Sequence, residues 1–398
     1  MTAPPPYPPA QRLDLVDDLH GHAVADPYRW LEDPDDPRTR AWSAAQDELA
    51  RRHLDALPGR DRFAADLREL MAAGSVGVPV WRAGRRFAVR RDPGQEHAVL
   101  GVTEPDGTAR VLLDPIALDP TGRTTLDSWT PDLEGRRLAY QLSSGGDEHS
   151  VLHVLDVTTG ADVEEPIDRC RYSSVAWLPG GDELLFVRMV ALDEAPPGEQ
   201  AFHRRVWRHR VGTPTADDEL VDGPGLYRHE PGSPAAAFGD HTYYGVSVSR
   251  DGRWLLVTGN VGTARRDSLW IAPLTPGAPV PTLRPVLTQA DDVQCDAWVA
   301  RDGRLHLRTT DGAPRFRLAV ADPADPGRDR WRELVGEDPD SVLEGVTWLQ
   351  PAGTDDPADG LLVLARSRHA VGELALHGRD GTPRGAVPLP GPGSLRGV

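Results

Sequence analysis

The sequence has no lysine. All 44 basic residues are arginines, set against 61 acidic ones, for a formal net charge of −17. Such a chain lacks the basic footprint that neutralises phosphates, which argues against a nucleic-acid binder. Beyond that, acidity speaks only for solubility, and the arginine-only basic set reads as the base composition of a G+C-rich genome. Cysteine is almost absent. Cys170 and Cys295 are the only two and show no paired spacing, which argues against a disulfide framework or a zinc site and fits a reducing, cytoplasmic compartment. No run of about 18 apolar residues occurs, so no membrane span or membrane partner is expected. Met1–Pro9 is proline-rich and lacks the apolar stretch of a signal peptide.

Catalytic motifs are missing too. A nucleophile elbow needs G-x-S-x-G, and none of Ser144, Ser247 or Ser394 completes it. There is no H-E-x-x-H, Walker or Rossmann glycine pattern, so no cofactor is implied. The thirteen histidines are scattered, and His203 and His209 read as surface or packing residues rather than metal ligands. Taken alone, the residues describe a chain without catalysis of its own.

What the chain has in plenty is turn formers: 40 glycines and 38 prolines. Both residues punctuate short strands. The clearest stretch runs from Trp129 to Gly160. A turn at Pro131–Gly135 leads into a strand with Leu138, Tyr140 and Leu142 on one face. A Ser/Gly loop carrying Asp147 follows, then a strand from Val151 to Val157. Period-two alternation between turn clusters is the mark of antiparallel strands. The theme recurs. Central strands near Phe87, Leu138, Leu185, Leu256, Leu305 and Val363 are spaced by roughly 50 residues, and three copies place Asp-Gly before the second strand. A period of about 40–50 with several strands per unit indicates a β-propeller rather than a solenoid or sandwich. One such unit cannot bury both faces alone, so blades must stack. Helices are expected only near the start. Asp36 caps one with Pro37 at its first position and Trp42, Ala45 and Leu49 on a face; a second spans Asp61 to Met71, with Phe63, Leu67 and Leu70 in line.

The segment Asp26-Pro-Tyr-Arg-Trp-Leu-Glu-Asp33 is an odd composition for a free tail. With Gly21-His-Ala-Val-Ala25 before it and Trp42, Ala45 and Gln46 after it, it resembles a signature of the prolyl oligopeptidase family of serine peptidases. Leu138-Ala-Tyr140, Ser144-Gly-Gly-Asp147, Val154–Gly160, Ala313–Leu318 and Pro388–Gly391 with Gly393-Ser394 are similar to that family's propeller. The resemblance implies a mainly β chain: a short α-helical N-terminal segment over residues 1–72, then a seven-bladed-type β-propeller over 73–398. About six blades are present, so the propeller is incomplete, stopping before the last. In the family the N-terminal segment packs on an α/β-hydrolase domain carrying the Ser–Asp–His triad, and the propeller gates access for short peptides cut after proline. That domain is not found in these 398 residues, so the chain is expected to be inactive alone, with the hydrolase domain and proline-containing peptides as partners. Tyr28, Trp30 and Leu31 would dock on it. The resemblance also implies site residues. Asp147 matches the loop acid that orients a substrate-binding arginine of the hydrolase domain, Tyr172 and Tyr243 match pocket aromatics, and Thr263 is a weaker match. A free-standing propeller acting as a binding scaffold is the alternative. A propeller enzyme with an axial metal is disfavoured, because metal ligands do not cluster in the sequence.

Overall fold

Leu184-Leu185-Phe186-Val187 has no polar face, and the fold explains why. Leu184 and Phe186 pack into one apolar cluster with Ala139, Leu152, Val154 and Trp177, while Leu185 and Val187 pack into another with Val246, Leu255 and Val257. Both faces of this strand are covered, so alternation gives way to a continuous apolar run. The same division recurs at Leu255-Leu256-Val257 and at Leu138-Ala139-Tyr140. The core is therefore not one mass. It is five apolar layers, each filling the junction between two consecutive sheets.

The computed structural model describes residues 6–191, 193–195, 202–224, 226–227, 241–351 and 356–395. Its contacts divide the chain into two compact units, Met1–Gly74 and Ser75–Val398. The second unit is a β-propeller of six blades. Their second strands are Arg85–Arg91, Arg137–Ser144, Glu183–Met189, Trp254–Val261, Leu305–Thr309 and Leu361–Arg368, which contain the six repeat positions expected from the sequence. Blades three to six are four-stranded antiparallel meanders. Blade two has three strands, and bridges from Leu152 to Ile167 and from Leu155 to Asp162 occupy the fourth position. In blade one the first strand is broken. Ser75–Val76 and Val80–Arg82 both pair with Arg85–Arg91, and a turn with positive φ at Ala83 and Gly84 separates Trp81 from the strand that follows it. The outermost strands, such as Glu219–Leu220 and Pro383–Val387, are short and largely exposed and were not expected from the pattern. The sixth blade is complete.

Two of the three Asp-Gly turns are alike. Asp251 accepts from the Arg253 amide and guanidinium, and Asp302 does the same with Arg304. Gly252 and Gly303 have φ of +70° and +76°, a region that suits glycine. The third differs: Gly360 has φ of −61° and lies flat against the Trp348 ring, where a Cβ would collide.

Arginine crosses every one of the five junctions to a backbone carbonyl. Arg85 donates to Gly135 O at 2.6 Å, Arg137 to Gly181 O at 2.6 Å and Arg208 to Ala278 O at 2.6 Å. Arg284 donates to Pro323 O and Ala324 O at 3.0 Å, and Arg304 to Arg379 O at 2.6 Å. Arg208 is buried and also holds Glu183 and Glu219. Lysine is a point charge without the planar fork, so Arg208→Lys loses part of this set. We expect a stability loss of about 2–3 kcal/mol by urea unfolding, the scale of a hydrogen bond to a charged group plus lost geometry.

His209 is one of the histidines read as a packing residue, and it is buried with two carboxylates. Nδ1 lies 2.6 Å from Asp218 and Nε2 3.1 Å from Glu164, so the ring joins blade three to the connection leaving blade two. Burial alone would lower its pKa, but the bonds to Asp218 and Glu164 outweigh it and hold the imidazole up at about 9. A folded-state pKa above the unfolded one stabilises fully below about pH 6.5 and is lost as pH rises through about 9. His209→Gln should cost about 3 kcal/mol near neutral pH, because it leaves buried carboxylates without their cation. The stability gap to the unsubstituted protein should narrow above pH 9.

The first unit contains a hairpin, Val16–Leu19 with His22–Ala25, and two helices, α1 (Pro37–Asp55) and α2 (Arg60–Met71). The Asp36 carboxylate accepts from the Arg38 amide at 2.8 Å, capping α1 as the sequence implies. A further short helix, Pro115–Leu118, capped by Asp114, lies in the propeller, so the N-terminal segment is not the only helical one. Trp30 corrects the sequence reading. It is 6% exposed, its Nε1 donates to Gln11 O at 2.9 Å and Arg38 stacks on its ring, all within the first unit. The open apolar face belongs to α2: Phe63, Leu67, Leu70 and Met71 are exposed, and no residue of either helix is buried.

Candidate functional site

In an antiparallel meander the first strand begins at the end where the second strand finishes. Blade two's connection from second to third strand (145–150), the connection from blade two to blade three (169–174), the start of blade three's third strand at Arg204 and the start of blade four's first strand at Thr242 therefore share one end of the propeller. Tyr172 and Tyr243 meet there. Their ring centroids are 6.0 Å apart, tilted by 54°.

The backbone under Tyr172 is pinned from three blades. Gln141 Nε2 donates to Ser173 O at 2.9 Å, the Val187 amide donates to Ser173 Oγ at 3.1 Å, and the Val246 amide donates to Ser174 Oγ at 3.1 Å. Ser173 is itself buried. The tyrosine is thus presented by a fixed loop, although its own ring is 50% exposed.

Glu148 completes the cluster. Its carboxylate accepts from the Tyr172 hydroxyl and from Arg171 at 2.7 Å. Arg171 in turn lies 5.0 Å over the Tyr172 ring. The bonds from Tyr172 and Arg171 hold the Glu148 carboxyl below its usual range, and Glu148 raises the Tyr172 phenol. On the other side Arg204 stacks on Tyr243, 4.1 Å from the ring centroid. Glu148, Arg169, Tyr172 and His203 all adopt positive φ, between +54° and +60°. Left-handed backbone at non-glycine residues costs energy and concentrates where a loop must present particular side chains.

The structure brings the Tyr172 and Tyr243 rings together. Asp147 stands apart from them. It is exposed, and its carboxylate accepts from the His149 amide at 2.9 Å. The acid that contacts the aromatic pair is its neighbour Glu148. Thr263 is exposed on the turn between the second and third strands of blade four. Glu148, Arg171 and Arg204 were missed. Arg171 is adjacent to a residue already singled out, but nothing local marks Arg204, which stands in an arginine-rich strand from Arg204 to Arg210. Among the described residues no three His, Cys, Asp or Glu side chains converge as a metal site. No described helix is long and apolar enough to cross a membrane.

Six blades with an aromatic and charged cluster at one end define a β-propeller domain. Residues 8–398 match the model of the prolyl oligopeptidase N-terminal β-propeller domain, and the chain belongs to the prolyl oligopeptidase family. It is 25% identical over 400 residues to a prolyl endopeptidase of Elizabethkingia meningoseptica, covering 98% of this chain and 52% of that protein. It is 23% identical to prolyl oligopeptidase A of Amanita bisporigera, covering 94% of this chain and 51% of the relative. A structure from a study of two prolyl endopeptidases superposes with a TM-score of 0.84 at 29% identity, over 99% of this chain and 55% of that one. Prolyl oligopeptidase B of Galerina marginata, solved with a 35-residue substrate, shares the fold at a TM-score of 0.80 and 20% identity, over 97% of this chain and 54% of that one. The chain spans about half the length of the curated relatives it matches.

The Glu148–Tyr172 bond is open to titration. In Glu148→Gln the phenol loses its anionic acceptor, and the Tyr172 pKa should fall towards the ordinary tyrosine value of about 10. Ultraviolet difference titration against Tyr172→Phe isolates this one ring. An unchanged titration in Glu148→Gln would show that the bond is not formed in solution.

Proposed function

We propose that this chain is the substrate-gating and pocket-wall part of a prolyl endopeptidase-type serine peptidase acting on short proline-containing peptides. The observation that carries the reading is the Tyr172–Tyr243 pair, held on a pinned loop at one end of the propeller. Two tilted rings at this separation offer an apolar seat for a proline ring, and aromatic faces bind flat apolar groups at little entropic cost. In this reading a hydrolase domain supplies the nucleophile, base and oxyanion hole. Asp147, exposed on the neighbouring loop, orients an arginine from that domain through a charge-assisted pair.

The first unit, residues 1–72 in the sequence reading, contributes the contact with that domain. Its α2 face exposes Phe63 and Leu70 at 67% and 73%, more than an isolated helix face in a soluble chain normally leaves open. That face favours a domain partner over a free-standing scaffold. Cys170 and Cys295 are free, buried thiols in different blades, which supports a reducing, cytoplasmic setting.

The test uses the purified 398-residue protein. It should bind acetyl-Gly-Pro-amide, and Tyr172→Ala or Tyr243→Ala should each weaken binding about tenfold, the loss of one aromatic contact on the scale of 1.4 kcal/mol. It should release no chromophore from a Gly-Pro nitroanilide. Turnover abolished by a serine-reactive phosphonate would place a nucleophile within the propeller and overturn the assignment.

A further inference from the structure

Arg204 is 1% exposed and is the largest fully buried side chain among the described residues. Its Nε, Nη1 and Nη2 have no hydrogen-bond partner among the described residues. The other buried arginines among the described residues, Arg208 and Arg366, each have an acceptor. Arg208 holds two carboxylates and a carbonyl, and Arg366 reaches Ser341 Oγ. Around Arg204 the charge does not balance. Burial, with Arg171 adding repulsion, pushes its pKa down despite the favourable pull of Tyr243. Among the described residues the carboxylate bonded in this cluster is that of Glu148, and it already accepts from Tyr172 and Arg171. Stacking on Tyr243 and the polar pull of that tyrosine return part of the cost of burying a cation, but no carboxylate among the described residues pairs with the guanidinium. A buried guanidinium without an acceptor is a site short of one anion.

We propose that Arg204 and Arg171 form a carboxylate-binding subsite for a peptide lying on the Tyr172–Tyr243 rings. A carboxylate matches the planar fork of a guanidinium and takes two parallel bonds from it. Tyr172 is half exposed, so the cluster opens to solvent at that ring. The subsite rests on the peptide-binding reading above for the nature of its ligand and adds an acidic requirement to it. The carboxylate belongs either to a group ahead of the proline or to an acidic residue after it.

Calorimetric titration of the whole chain separates these cases. The probes are glutarate, neutral acetyl-Gly-Pro-amide, succinyl-Gly-Pro-amide and acetyl-Gly-Pro-Glu-amide. One acidic peptide should bind at least tenfold more tightly than the neutral one, and which of them gains reports where the carboxylate lies. Arg204→Met should abolish that advantage, so that within the variant the acidic and the neutral peptide bind with affinities less than twofold apart. Because the substitution removes an unpartnered buried charge, the variant should melt no lower than the unsubstituted protein. A loss of more than a few degrees would reveal a structural partner and overturn the subsite. An acidic advantage that survives Arg204→Met, or none in the unsubstituted chain with any carboxylate probe, overturns it equally. Glutarate binding that depends on Arg204 while the neutral peptide fails to bind would uphold the subsite and refute the peptide reading instead.

Discussion

The structure depends on a bond type repeated at every described junction: a guanidinium on one blade donating to a main-chain carbonyl on the next. Apolar layers supply most of the cohesion, since burial scales with area and each layer joins large side chains from two sheets. Area alone does not set register between sheets, because apolar contact is non-directional. The directional bond from Arg137 to Gly181 O, or from Arg304 to Arg379 O, does set it. It fixes the height of one blade against the next, and with it the alignment of loops at the far end. Tyr172 on the connection leaving blade two and Tyr243 on blade four face each other only because the intervening blade is held at a defined height.

Much of the fold was legible, and the reason is physical. Strands buried on both faces must be apolar throughout, so Leu184–Val187 and Leu255–Val257 stand out in any reading of the sequence. The repeat of about 50 residues follows from one meander per blade. The outer strands were invisible because they need little burial: Glu219–Leu220 has two residues and Pro383–Val387 is almost wholly exposed. Trp30 misled for a related reason. An aromatic among charges suggests an external partner, yet its partners are Gln11 and Arg38 in the same small unit.

The candidate site was only half legible. Tyr172 and Tyr243 came from resemblance, since they stand 71 positions apart and no spacing rule joins them. Asp147 also came from resemblance, whereas the left-handed turn at Glu148 places the next carboxylate against the Tyr172 hydroxyl. One residue of register on a loop changes which acid contacts the pocket. Arg204 carries no local signature, because an orphaned cation is defined by what fails to surround it.

The main-chain acceptors have a historical consequence. A side-chain partner can be lost by one codon change, but a carbonyl oxygen persists through every substitution at its position. A blade that receives its neighbour's arginine on Ala278 O or Ala324 O is free to exchange those side chains without breaking the joint. Selection then has to preserve one donor per junction and the path of the acceptor's backbone. Such an arrangement tolerates drift, and it fits a chain that keeps a relative's shape closely while sharing little more than a quarter of its residues.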